Sequence, residues 1–168
     1  CLKQKLLDIS YNKSNISNLG KENFETFNVN IFSDKIEPEK YRLNISPRQN
    51  IISIKEKCIE FVKNFDNPDT HNLLFTGNTG VGKTFLSNCI AKELIERTNS
   101  VVYLTATELF EIFSRSSFSY QEDACDDVDH YILESDLLII DDLGTERTNS
   151  FTVSKLFYCI NERINRRK

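Results

Sequence analysis

No apolar run in this chain approaches the roughly 18 residues that a membrane-crossing helix needs, so no membrane span is expected. Residues 1–20 also lack the apolar stretch of a secretory leader, and none is expected there. The five cysteines, Cys1, Cys58, Cys89, Cys125 and Cys159, form no CxxC pair. Their odd count and wide spacing exclude a disulfide framework; reduced, buried thiols in a cytoplasmic protein are the expectation. A basic excess is missing too. The net charge of −4 and pI of about 5.3 argue against a general nucleic-acid coat, while leaving room for a local basic patch. The first residue is cysteine rather than methionine, so the natural N-terminus is expected to lie upstream. Internal repeats and low-complexity tracts are absent. What is present, 168 residues at 39% hydrophobic and 27% charged, has the balance of a soluble globular domain with a core.

Residues 1–45 are polar and are expected to form a partly irregular N-terminal linker, with Phe24, Phe27 and Phe32 docking onto the domain at 46–168. SPRQNIISIKEKCIEFVKNF (46–65) predicts a helix, with Ser46 as cap and Pro47 at its first position. HNLLFTG (71–77) predicts a short buried strand. A helix is expected over 83–98, with Phe85, Leu86, Cys89, Ile90 and Leu94 inward. A strand follows at 100–106, then a short helix at 107–115 capped by Thr107, and a polar connection at 116–127. Another short helix is expected at 126–135, a strand at 136–142 and a final helix at 148–168, with Phe151, Leu156, Phe157, Ile160 and Ile164 as its apolar positions. Strands alternating with helices predict an α/β fold, a parallel sheet with helices on both faces.

Glycine is scarce, and three of the five glycines fall in GNTGVGKT (77–84). This stretch matches GxxxxGK[ST], after an apolar strand and at the start of a helix, which is the context a phosphate loop requires. Gly77, Asn78, Thr79, Gly80, Val81, Gly82, Lys83 and Thr84 are therefore expected to bind a nucleotide. Loop N–H groups and the helix N-terminus cradle the phosphates. Lys83 reaches the β- and γ-phosphates, and the Thr84 hydroxyl ligates Mg²⁺. LLIIDDLG (137–144) then supplies two acids at the end of a greasy strand. Parallel strands end at one sheet edge, where ligands bind. Asp141 is expected to hold Mg²⁺ with Thr84. Asp142 is expected to polarise an attacking water; the alternative is an acid that caps the turn LGTE. Many ATPases with this arrangement carry Glu at the second position, and Asp is one methylene shorter.

With NLLFTGNTGVGKTFLSNCIAKEL, VVYLTATELFEIF, SDLLIIDDLGTE and KLFYCINERINRRK in this order, the chain resembles the DnaC/DnaI-type replicative helicase loaders. These are AAA+ ATPases close to the IstB-type transposition helpers, and the resemblance covers roughly 46–168. It implies a P-loop NTPase fold of the AAA+ type, ATP with Mg²⁺ at 77–84, and Asp142 in the place of the catalytic acid. It implies single-stranded DNA contact between Thr107 and about Ser119, where Phe110, Phe113, Arg115 and Phe118 supply aromatic and basic groups. Phe110 and Phe113 are three apart, so core packing is their alternative. CLKQ (1–4) looks like the tail of a cysteine cluster found in such loaders; one cysteine cannot build a four-ligand site, so no zinc is expected. AAA+ sheets set the strand that follows LLIIDD between it and the phosphate-loop strand. That strand would begin where the chain reaches Lys168, so the fold is expected to be truncated before the sensor-1 strand and the lid. Arg163, Arg166 and Arg167 are expected to form a solvated basic helix end, favourable to the helix dipole, rather than an arginine finger.

The function the resemblance implies is an ATP-dependent helicase loader, a slow ATPase on its own. Its partners would be a ring-shaped replicative helicase and single-stranded DNA, with self-association possible. Three alternatives stand beside it: a transposition helper ATPase, a nucleotide-binding adaptor with little turnover, and, less in keeping with two acids, a small-molecule kinase.

Overall fold

The computed structural model describes residues 21–118, 129–144 and 150–168, with the backbone alone for 115–118. Two compact units divide the chain, one of residues 18–93 and one that holds 94–168.

In the first unit the local signals at Ser46 and Pro47 act as their chemistry dictates. The Ser46 hydroxyl accepts from the Gln49 N–H (3.2 Å), and Gln49 Oε1 accepts from the Ser46 N–H (3.1 Å). This reciprocal pair satisfies two donors at the helix start. Pro47, with no N–H to lose, takes the first position of a helix over Pro47–Lys63. A short helical turn, α1 (Pro38–Tyr41), precedes it, so Pro47–Lys63 is α2. Ile51, Cys58 and Val62 form its buried stripe. Arg48 ties the preceding segment to the start of α2: its N–H donates to Ser33 O (3.1 Å), its Nε to Phe32 O (3.0 Å), and its guanidinium pairs with Asp34. The docking expected of the linker aromatics is seen at Phe27, which is buried and meets Phe85 edge-on at 5.2 Å. Phe85 belongs to α3 (Lys83–Glu96). Residues 86–91 of this helix are buried without a break, Ser87 and Asn88 included.

Residues 71–77 do not form the expected strand. Leu73 and Leu74 are exposed, the latter by 79%. A strand exists through its ladder to a neighbour, and among the described residues the sheet contains only two strands, neither of which pairs with this run.

The second unit is a strand–helix–strand arrangement. β1 (Val101–Thr105) and β2 (Leu137–Asp141) pair in parallel, Val101 opposite Leu137 through Thr105 opposite Asp141. Asp136 and Ser100 pin this register just before the strands begin. Asp136 accepts from the Ser100 N–H (2.9 Å) and hydroxyl (2.8 Å), and the Asp136 N–H donates back to Ser100 Oγ (2.9 Å). α4 (Ala106–Phe118) follows β1 directly. Its cap is Thr105 rather than the expected Thr107: Thr105 Oγ1 accepts from the Glu108 N–H (3.2 Å) while Glu108 Oε2 accepts from the Thr105 N–H (2.9 Å). TATE (105–108) is thus a capping box that starts at the last residue of the strand. Residues 129–134 are helical, and α5 (Ser150–Asn165) ends the chain's regular structure.

Val102 and Leu104 of β1, with Leu138 and Ile140 of β2, lie over a core of Leu109, Phe113, Ile132, Leu133 and Cys159. α5 turns a different face inward from the one its apolar residues predict. Thr152, Cys159 and Arg163 are buried, whereas Phe157 is 70% exposed and Val153, Ile160 and Ile164 are also exposed. Arg163 is the reason. Its Nη1 donates to Ile132 O (2.7 Å), Leu133 O (3.3 Å) and Ser135 Oγ (3.1 Å), satisfying carbonyls at the end of the 129–134 helix. The expectation of a solvated basic helix end is therefore wrong for Arg163, and Arg166 is tied to Glu134 and Glu162. No described helix is long and apolar enough to cross a membrane.

Candidate nucleotide site

The phosphate loop belongs to the first unit. Residues 77–82 are irregular, and α3 begins at Lys83. Gly80 and Gly82 have φ of +80° and +96°, a left-handed backbone that L side chains rarely adopt. Gly82 has a second constraint, because a Cβ there would stand 3.4 Å from the Phe27 ring. The linker aromatic thus packs against the loop as well as against Phe85. The Lys83 ammonium folds back over the loop and donates to Gly77 O (3.0 Å) and Asn78 O (2.9 Å). Those bonds keep a cation at the glycine loop beside the N-terminus of α3, and a cation, a glycine loop and a helix N-terminus together are the components that suit a phosphate chain. Thr84, one residue on, is exposed in the first turn of α3.

The paired acids belong to the second unit. Asp141 is the last residue of β2 and is half-buried; Asp142 is exposed. The Asp141 carboxylate accepts from the Tyr103 hydroxyl (2.7 Å) at Oδ2 and from the Asp142 N–H (2.9 Å) at Oδ1. Asp142 has φ of +53°, left-handed for a residue with a side chain. Aspartate and asparagine enter this region several times more readily than most residues. That preference gives a physical reason for Asp where many ATPases carry Glu. A hydroxyl, as on Thr84 in the first unit, and a carboxylate, as on Asp141 in the second, are each donor types that suit a hard cation such as Mg²⁺. Among the described residues no cluster of three or more His, Cys, Asp or Glu could hold a metal ion.

Phe110 and Phe113 of α4 are buried, Phe113 completely. Their packing alternative is the one seen, and Phe113 offers no surface to a DNA strand. The side chains of Arg115 and Phe118, and the positions Cys1 and Cys125, lie outside the described residues. Cys58, Cys89 and Cys159 are free and buried; burial pushes their thiols up to about 11, about 12 and about 11. At these values they are protonated and poor nucleophiles near neutral pH. One residue that shapes the site was not picked out from the sequence. Tyr103 had a signal, a phenol hydroxyl in a buried strand that must find a partner. The left-handed backbone of Asp142, a residue the sequence did single out, was not foreseen.

Residues 34–168 match the family described as IstB-like ATP binding protein. The replicative helicase loader DnaC of Escherichia coli (strain K12) is 28% identical over 116 residues, which cover 67% of this chain and 44% of that protein. The Shigella flexneri DnaC matches to the same extent. The chromosomal replication initiator protein DnaA of Aliarcobacter butzleri (strain RM4018) is 30% identical over 99 residues, 58% of this chain and 22% of that protein. The chain thus spans less than half the length of the curated relatives it matches. The match runs from before α1 to the last residue, and it takes in the glycine loop, β1, β2 and the paired acids. With its strand–helix–strand sheet and phosphate loop, this chain belongs to the IstB-like ATP-binding proteins, P-loop NTPases of the AAA+ type.

Proposed function

We propose that this protein is an ATP- and Mg²⁺-dependent helper ATPase of DNA replication that loads a ring-shaped helicase onto single-stranded DNA. The observation that carries the reading is the glycine loop with left-handed Gly80 and Gly82 at the N-terminus of α3, in a chain of the IstB-like family. The curated relatives named as a helicase loader and a replication initiator support the replication setting.

The chain's own residues divide the work. N–H groups of 77–84 and the positive end of α3 bind the triphosphate. Lys83 exchanges its bonds to Gly77 O and Asn78 O for phosphate oxygens. Thr84 and Asp141 hold Mg²⁺, which when bound neutralises charge on the phosphates. Asp142 orients the attacking water and accepts its proton. Turnover is slow for the isolated chain, since an arginine supplied by a neighbouring subunit commonly completes such sites.

The test is steady-state ATP hydrolysis with and without single-stranded DNA, together with co-sedimentation against a purified ring helicase and a purified transposase. Stimulation by DNA with capture of the helicase supports the loader. Capture of the transposase alone moves the reading to a transposition helper, a role the family match also accommodates. Turnover equal to that of Asp142→Asn would leave only a nucleotide-binding adaptor.

A further inference from the structure

β1 contributes to the paired acids in a way that the loop motif and the DD pair do not account for. The register sets Tyr103 opposite Ile139 and Thr105 opposite Asp141. Alternation along the strands therefore puts Tyr103, Ile139 and Asp141 on one face. The Tyr103 ring is buried, and its hydroxyl reaches past Ile139 to donate to Asp141 Oδ2 at 2.7 Å. That is the usual length of a hydroxyl-to-oxygen hydrogen bond. From the other side the Asp142 N–H donates to Oδ1 at 2.9 Å. Both oxygens of the carboxylate thus have a donor among the described residues, one on a rigid buried ring and one on the backbone.

We infer that Tyr103 is the positioning residue of Asp141, fixing the rotamer in which this carboxylate takes a divalent cation beside nucleotide phosphates. The inference rests on the metal role proposed above for Asp141. An aspartate free to rotate loses side-chain entropy when it binds a metal; one already held by a buried tyrosine has lost it on folding. Hydrogen bonds that orient metal ligands from behind typically govern ten- to a hundredfold of metal affinity, on the order seen when such partners are removed. A residue that served packing alone would not need a hydroxyl, and the rest of VVYLT and LLIID is aliphatic but for Thr105 and Asp141.

Tyr103→Phe keeps the ring and removes only the hydroxyl. Mn²⁺ binding, followed by electron paramagnetic resonance with a non-hydrolysable ATP analogue present, is expected to weaken by about tenfold. Analogue affinity in excess chelator and the thermal midpoint are expected to stay at wild-type values, which a general loss of structure would not allow. In an Asp141→Asn background, Tyr103→Phe is expected to add no further loss, because the hydroxyl acts through that carboxylate. Wild-type Mn²⁺ affinity in Tyr103→Phe, with Asp141→Asn weakened, overturns the positioning role and leaves the metal role standing. An equal loss in both backgrounds also overturns it. Unchanged Mn²⁺ affinity in Asp141→Asn overturns the metal role and this inference with it.

Discussion

Asp142 is the residue on which the distinction between an ATPase and a nucleotide-binding adaptor depends. Its left-handed backbone makes asparagine the informative substitution, because asparagine tolerates the same conformation. Asp142→Asn removes the charge and leaves the turn. Hydrolysis is expected to fall by about 100-fold or more, the scale of general base catalysis, while ATP affinity holds; single-turnover kinetics beside equilibrium binding would show both. Cys58, Cys89 and Cys159 are expected to resist a thiol reagent in the folded protein and to react on unfolding, as burial keeps all three thiols protonated. At this scale the loop and the acids stand out in the sequence because each is a short run whose chemistry is complete in itself. Tyr103 and Arg163 were not, because what they do depends on partners far along the chain, Asp141 and the carbonyls of Ile132 and Leu133.

Elements were legible where their signals are local. Ser46, Pro47 and Gln49 define the start of α2 without help from the rest of the fold. Ser46→Ala is expected to cost about 1 kcal/mol in a denaturant titration, the usual worth of such a cap. The cap of α4 was placed two residues late because two threonines compete for it, and only the reach of Glu108 back to Thr105 decides between them. The run 71–77 has the composition of a strand, but composition cannot supply a ladder partner. On α5 the apolar residues point one way and Arg163 the other. Buried carbonyls that need a donor outweigh an aliphatic stripe, since an unpaired buried polar group costs about 1–3 kcal/mol. Arg163→Ala is thus expected to destabilise the protein by about 2 kcal/mol or more, whereas Phe157→Ser, at an exposed position, stays within about 0.5 kcal/mol.

For the whole molecule, the α/β class and AAA+ membership were readable from the order of the motifs, whereas the two-unit division was not, because it depends on which residues pack together. The sheet that presents the paired acids is fastened at both ends, by Asp136 to Ser100 and by Tyr103 to Asp141. Burial alone would raise the Asp136 carboxyl, but bonds from the Ser100 N–H and hydroxyl and from Lys168 bring it below its ordinary value of 3.8. A group depressed on folding stabilises the protein fully above its unfolded value and loses that contribution as the pH falls through its folded one. The thermal midpoint is expected to drop in acid below about pH 4, less steeply in Asp136→Asn, as scans from about pH 5 to about pH 2 would show. The central claim, that residues 77–84 bind ATP, is tested most directly by equilibrium titration of a fluorescent ATP analogue with Mg²⁺ into wild type and Lys83→Ala. Saturable binding that weakens by at least about tenfold in Lys83→Ala, the loss of a charge-assisted contact, is the predicted result. Equal affinity in the two proteins would contradict it.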